Sequence, residues 1–166
     1  ATLYVDLDNF KRINDTLGHN FGDVVLKAIA SRLEKCVRSY DCIVRAAPDE
    51  AADSPQLARL GGDEFVAILR NLQCEDEAIA VAERLRSEFT RPVHHQGHEF
   101  VVTSSIGVSV YPDDGEDIDT LLRNADIAMY QAKNAGRNSV RFYSGTMSLR
   151  SLERLELESS LHRALE

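Results

Sequence analysis

Four carboxylates stand where a chain can collect negative charge around a metal ion. Asp6 and Asp8 close the stretch TLYVDLD, and Asp63 and Glu64 follow two glycines in RLGGDEFVAIL. The first stretch alternates and is rich in β-formers, which predicts a strand ending in the two aspartates. Side chains two apart on a strand share a face. The pair is therefore a candidate site for a hard divalent cation, which takes oxygen ligands. The bland alternative is two solvated aspartates at a sheet edge. The second stretch predicts strand, tight turn, strand. Glycine and aspartate suit a tight turn by backbone geometry alone, which accounts for Gly61, Gly62 and Asp63 but does not require Glu64. Glycines also let a backbone approach a bulky ligand, because no Cβ intervenes. If this turn lies beside the end of the first strand, Asp6 and Asp63 can share metal ions. Two such ions can neutralise a triphosphate and activate a hydroxyl nucleophile.

The remaining elements must hold these groups in place. NFKRINDTLGHNFGD predicts a short helix broken at Gly18 and then a turn. DVVLKAIASRLEKCVR carries Val24, Val25, Ala28, Ile29, Leu33 and Val37 at helical spacing, which predicts an amphipathic helix. CIVRA reads as a short strand, and APDEAADSPQ (47–56) as a surface loop. EDEAIAVAERLRSEFT is a second amphipathic helix with acids in its first turn, as the helix dipole favours. PVHHQGHEFVVTSSIGVSVY reads as a hairpin turning near Gln96 and Gly97, with His94, His95 and His98 as turn residues rather than metal ligands. DIDTLLRNADIAMYQAKNAG is a third long helix, with Met129 and Tyr130 packed inward, stopping near Gly136. SVRFY is the last strand. Hairpin-length connections between several strands predict an α/β (α+β) fold whose sheet is mixed and largely antiparallel, flanked by helices, not a doubly wound parallel one.

With 166 residues the chain suits one domain. No apolar run approaches the ~20 residues of a membrane span, and no signal peptide is visible. We expect no membrane contact by this segment and a cytoplasmic location, either free or as the cytoplasmic part of a membrane-anchored protein. Cys36, Cys42 and Cys74 lack CxxC spacing and are read as free thiols in a reducing compartment. The net charge of -8 disfavours nucleic-acid binding. It permits a nucleotide substrate, since metal ions bridge carboxylates to phosphates.

LARLGGDEFVAIL, VDLDNFKRINDTLGHNFGD and AMYQAKNAGRN together closely resemble the GGDEF family, the diguanylate cyclases, from about residue 3 to residue 143. The resemblance implies a palm-like sheet flanked by helices, similar to nucleotide cyclases and polymerase palms. It implies condensation of two GTP into cyclic di-GMP with release of two pyrophosphates. Asp6, the backbone carbonyl of Leu7, Asp63 and Glu64 match metal ligands for Mg2+ or Mn2+, two ions per half-site, and Asp63 and Glu64 match catalytic positions. Asn14 and Asp23 match the pair that reads guanine. A carboxylate accepts from guanine N1-H and N2-H, and an amide supplies a donor and an acceptor. Lys11 matches a phosphate contact, helped by the backbone around Asn9 and Phe10, with Gly61 and Gly62 beside the nucleotide. Lys133 and Arg137 match basic residues on the terminal phosphates, and their spacing of four puts them on one helical face. Each domain holds one GTP, so catalysis requires a homodimer.

Three departures from the family pattern stand out. The segment that usually precedes the first strand is missing, which reads as a chain trimmed from a longer protein. The RxxD motif usual just before the signature is replaced by a window containing Ala52 and Pro55. Arg38-Ser39-Tyr40-Asp41 fits RxxD instead, so Arg38 and Asp41 are a candidate inhibitory site for cyclic di-GMP, separated from the signature by an insertion at about 46–58. Finally, LERLELESSLHRALE resembles the helical linker toward an EAL phosphodiesterase domain. We therefore expect a GGDEF domain over 1–145 and a helical linker over 146–166.

Overall fold

The computed structural model describes residues 1–44 and 56–148, with side chains over 1–36 and 57–148. Strand β1 (Thr2–Leu7) is the middle of a five-stranded sheet ordered β2-β3-β1-β6-β7. It pairs antiparallel with β3 (Glu64–Ile68) on one side and β6 (Ser104–Ser109) on the other. Strand β2 (Gln56–Gly61) pairs antiparallel with β3, and β7 (Val140–Phe142) adds a parallel edge to β6. The sheet is mixed and largely antiparallel, as the connection lengths predict.

Alternation along the strands sets the layers. Leu3, Val5 and Leu7 are at most 1% exposed. They share a core with helix α2 (His19–Val44) through Val25, Ile29 and Leu33, and with helix α3 (Glu75–Phe89) through Val81, Leu85 and Phe89. On the other face, Ser105, Gly107 and Ser109 alternate with the core residues Ile106 and Val108. These small residues let helix α4 (Ile118–Asn134) lie directly on the sheet, with Ala125, Ala128 and Ala132 buried beneath it. Ser109 Oγ donates to the Leu121 carbonyl at 2.8 Å, fixing the start of that contact. A short helix α1 (Phe10–Leu17) connects β1 to α2.

Several local expectations are corrected. No turn follows Gly18; α2 begins at once at His19. Gly18, at φ +82, breaks the helix in a single residue, and buried Phe21 draws the next turn into the core. The β-forming Cys42, Ile43 and Val44 are helical, because an established helix propagates more cheaply than a new strand begins. The turn at Gln96 and Gly97 forms as predicted, but it joins only β4 (Val93–His95) and β5 (His98–Phe100), a separate two-stranded ribbon. The chain then crosses to β6 in the main sheet. On the ribbon, His94 pairs with Glu99 at 3.2 Å and His95 packs on Phe21 at 5.1 Å between ring centroids. Met129 is buried as expected, whereas Tyr130 is 41% exposed.

Neither Cys36 nor Cys74 forms a disulfide, and Arg84 Nε donates to Cys36 Sγ at 3.1 Å. No helix among the described residues is long and apolar enough to cross a membrane. The predicted loop up to Pro55, the side chains of Arg38, Asp41 and Cys42, and the tail from residue 149 lie outside the described residues.

Candidate active site

The pairing of β1 with β3 sets Asp6 directly opposite Glu64. Like charges opposite one another on antiparallel strands repel. Two groups from the α4 face answer that repulsion. Lys133 Nζ, near the end of α4, lies 2.7 Å from Asp6 Oδ2. Tyr4, two residues before Asp6 and so on the same face, donates its hydroxyl to Glu64 Oε2 at 3.1 Å.

The electrostatics show how crowded this corner is. Asp6 is 5% exposed. Burial pushes its carboxyl up to about 6, with Lys133 pulling it down and Asp63 and Glu64 pushing it further up. Burial, then the charge of Glu64, pushes the Tyr4 hydroxyl up to about 12. Asp126 of α4 keeps much of its surface in solvent. Partial enclosure of its carboxyl and repulsion from Glu64 nevertheless raise its pKa, against the pull of Lys133. Tyr4, Asp6 and Asp126 thus all feel the charge of Glu64, and Asp6 and Asp126 also that of Lys133.

Asp63 is brought in by its backbone. The Leu7 amide donates to the Asp63 carbonyl at 3.3 Å, tying the turn to the end of β1. Arg59 Nε and Nη2 donate to the Gly62 carbonyl at 2.9 and 2.6 Å and hold the turn closed. Gly62 has φ +53, and a Cβ built at Gly61 or Gly62 would meet nothing within 4 Å. The backbone there is open to a ligand, as the glycines suggest.

The carboxylates of Asp6, Asp63 and Glu64 and the backbone carbonyl of Leu7 are oxygen donors of the kind a hard divalent cation takes. Their negative charge exceeds what Lys133 offsets. Among the described residues no three His, Cys, Asp or Glu side chains already converge as a ligand group. The cationic partner of Asp6 in this arrangement is the Lys133 ammonium.

The residues expected to read a base lie where α1 meets α2. Asn14 packs against Gly22, and its Oδ1 is buried without a hydrogen-bond partner. A buried unpaired acceptor is costly unless something supplies a donor, which fits a position awaiting a ligand. Asp23 is exposed one residue beyond Gly22, and Lys11 is exposed on α1. The Phe10 side chain is 6% exposed in the core, so only its backbone faces the expected phosphate role.

Lys133 and Arg137 do not share a helical face. Helix α4 ends at Asn134, and Gly136, at φ +116, turns the chain. The Arg137 amide bonds back to the Ala132 carbonyl at 3.1 Å, a Schellman closure. Arg137 therefore projects from a turn, at φ +65. Asp8 also departs from expectation: it is neither solvated nor joined to Asp6, but 5% exposed and bonded toward β6.

Four residues of this region escaped the sequence reading. Tyr4 sits at the i-2 position from Asp6, and Asp126 lies seven residues before Lys133, two helical turns on the same side; both spacings were available signals. Gly107 was marked only by the alternation of small residues in SSIGVS. Gly22 had no local signal, because its role depends on which side chain crosses it.

A family model described as diguanylate cyclase, GGDEF domain, matches residues 1–139. The bifunctional diguanylate cyclase/cyclic di-GMP phosphodiesterase MucR of Pseudomonas aeruginosa is 39% identical over 166 residues, covering 100% of this chain and 22% of that protein. The cyclic di-GMP phosphodiesterase NbdA of the same organism is 39% identical over 165 residues, covering 99% of this chain and 19% of that protein. The chain thus spans about a fifth of the length of these relatives. Among solved structures, the GGDEF domain of YfiN (TpbB) from Pseudomonas aeruginosa superposes with a TM-score of 0.78 at 33% identity, over 92% of this chain and 80% of that one.

Proposed function

Because the chain belongs to the GGDEF family of diguanylate cyclase domains, we propose that it is a working half-site that condenses two GTP into cyclic di-GMP and two pyrophosphates. The observation that carries this reading is the buried Asp6 carboxylate, paired with Lys133 at 2.7 Å and crowded by Asp63 and Glu64. A fold retains such an unfavourable cluster where function needs it.

In this reading Asn14 and Asp23 select guanine. Adenine lacks the donors that Asp23 would accept, so its carboxylate would be left unpaired. Lys11 and the backbone at Asn9 and Phe10 hold phosphate, as do Lys133 and Arg137 at the terminal phosphates. Lys133 then has two anionic partners to choose between, Asp6 and the nucleotide. Asp6, the Leu7 carbonyl, Asp63 and Glu64 would hold Mg2+ or Mn2+, which would supply Lewis acidity at the α-phosphate and lower the pKa of the attacking hydroxyl. The 3'-oxygen of each GTP bonds the α-phosphorus of the other, giving its proton to solvent as the α–β phosphoanhydride bond breaks, so two bonds form and two pyrophosphates leave. Since each domain offers one nucleotide site, two copies must face one another.

The phosphodiesterase name of NbdA favours a second reading, a GTP-binding domain that governs an attached EAL phosphodiesterase without making product. Incubating the full-length protein with GTP and magnesium separates the two. Cyclic di-GMP and pyrophosphate formed in a one-to-two ratio support the cyclase; tight GTP binding without product favours the regulator. Product inhibition is assigned in this proposal to Arg38 and Asp41. Arg38→Ala is expected to relieve inhibition by added cyclic di-GMP, and unchanged inhibition sinks that assignment.

Gly22→Ala tests the guanine arm. The new Cβ would stand 1.9 Å from Asn14 Oδ1 and 3.2 Å from Phe10 Cζ. Rotating Asn14 away relieves the first clash at little cost but removes the base reader. The helix gains about 1 kcal/mol from replacing glycine, which offsets a strain of about 1 kcal/mol at Phe10. Stability should change little while GTP affinity falls by about tenfold, the worth of one hydrogen bond. Unchanged GTP affinity by calorimetry would remove Asn14 from the site.

A further inference from the structure

Asp8 is the acidic residue of the first stretch that this reaction leaves without a role. It is 5% exposed, and the three hydrogen bonds it accepts all come from far along the chain. Ser105 Oγ donates to Oδ1 at 2.7 Å, and Thr103 Oγ1 donates to Oδ2 at 2.7 Å. The Asn138 amide donates to Oδ2 at 3.0 Å. Both oxygens are thus engaged by donors, which separates Asp8 from Asp6.

The third bond lands on the turn that carries Arg137. Gly136, Arg137 and Asn138 have φ of +116, +65 and +44. The left-handed region is disfavoured for L residues, and two such residues in succession persist only where surrounding contacts over-determine them. The contacts here are specific. Asp8 takes the Asn138 amide, and Arg86 Nη1 donates to Asn138 Oδ1 at 3.2 Å. The Ile106 amide bonds the Ser139 carbonyl at 3.0 Å just beyond. Two of these holds are charge-assisted, through the Asp8 carboxylate and the Arg86 guanidinium, and the one accepted by Asp8 is the shorter and the more buried.

We propose that Asp8 is a positioning residue for Arg137: it holds the strained 136–138 turn against the end of β1, so that the guanidinium is presented to the terminal phosphates of the nucleotide. The proposal rests on the reading of Arg137 as a phosphate contact. It ties the phosphate-holding turn to the strand that carries Asp6, two residues before Asp8, so both ends of the site are referenced to one piece of backbone.

The test compares binding of 3'-deoxy-GTP, which cannot react, with binding of GMP, which lacks the terminal phosphates. Asp8→Ser keeps a hydroxyl near Ser105 but is too short to reach Asn138. It is expected to weaken 3'-deoxy-GTP by about ten- to hundredfold, the worth of a charge-assisted contact, and GMP by less than about twofold. Asp8→Asn retains a carbonyl oxygen for the Asn138 amide and should bind both ligands nearly as the parent does. In an Arg137→Ala background, Asp8→Ser should add nothing further. Equal loss on both ligands, or full additivity with Arg137→Ala, overturns the proposal. If Asp8→Ser does not fold, Thr103→Val removes one anchor of Asp8 without changing charge and should show the same selectivity at smaller amplitude; equal loss on both ligands overturns it. Should Arg137→Ala itself leave 3'-deoxy-GTP binding intact, the phosphate reading fails. Hydrogen exchange at the Asn138 amide then judges the clamp alone. Protection lost in Asp8→Ser but kept in Asp8→Asn supports it, and equal protection in Asp8→Ser and the parent overturns it.

Discussion

Asp6→Asn is expected to lower cyclic di-GMP synthesis by about a thousandfold or more and, in the presence of a chelator, to raise the melting temperature at pH 7.5. The first effect follows from losing a charged metal ligand, since electrostatic stabilisation at a reacting phosphate contributes several kcal/mol. The second follows from the environment of the side chain. Its carboxyl titrates near about 6 in the fold against 3.8 without it, because burial and the charges of Asp63 and Glu64 outweigh Lys133. Ionised Asp6 is therefore a burden on the metal-free fold. That burden is absent below pH 3.8, grows as pH rises, and is complete above about 6. Asparagine resembles the protonated acid and escapes it, by about 3 kcal/mol at most. Thermal melts at pH 4 and pH 7.5 in chelator check the sign, with the advantage of Asp6→Asn confined to the higher pH. A lower melting temperature for the variant at pH 7.5 would mean that the Lys133 pair is a structural asset rather than a functional compromise. Retained synthesis would contradict the metal assignment itself.

Gly107→Ala is expected to be the most damaging single methyl group in the molecule. A Cβ there would stand 1.9 Å from the Ala125 carbonyl oxygen, 2.2 Å from the Met129 nitrogen and 2.9 Å from the Ala128 carbonyl carbon. All three are backbone atoms of α4, so no side-chain rotation relieves the clash. This is the opposite of Gly22, where the obstructing atom is the free end of Asn14. Either β6 bends or α4 lifts off the sheet, at a cost of about 3 kcal/mol or more. For a chain of this size that corresponds to a fall of roughly 6–12 °C in melting temperature. Lifting α4 also withdraws Lys133 from Asp6, so synthesis should fall even where the variant remains folded. A melting temperature within about 2 °C of the parent would show that α4 does not pack as closely as described.

The core elements were legible because burial writes a period into the sequence. The apolar spacing of Val25, Ile29 and Leu33 announces α2, and the alternation of Leu3, Val5 and Leu7 announces β1. Periodicity failed where a neighbour overrode local preference. Cys42, Ile43 and Val44 are β-formers caught at the end of a long helix, and the turn-like NFGD was recruited into α2 by the burial of Phe21. Spacing also misplaced Arg137, because counting four from Lys133 assumes that the helix continues through Gly136.

The sequence by itself determined the acidic signature, the glycine turn between β2 and β3, the apolar faces and the family, since each is written in a short run of residues. Only the tertiary structure decided which of those acids belong together. Asp6 meets Lys133 across 127 positions, and Asp8 meets Asn138 across 130. Two aspartates two residues apart thus receive different tasks, one left in a crowded, unfavourable charge cluster and one fully satisfied as an anchor. The difference lies in the donors around them, which come from β6, α4 and the turn after α4. A side chain's surroundings are set by the chain crossings of the fold, and no local pattern around Asp6 and Asp8 records where those crossings fall.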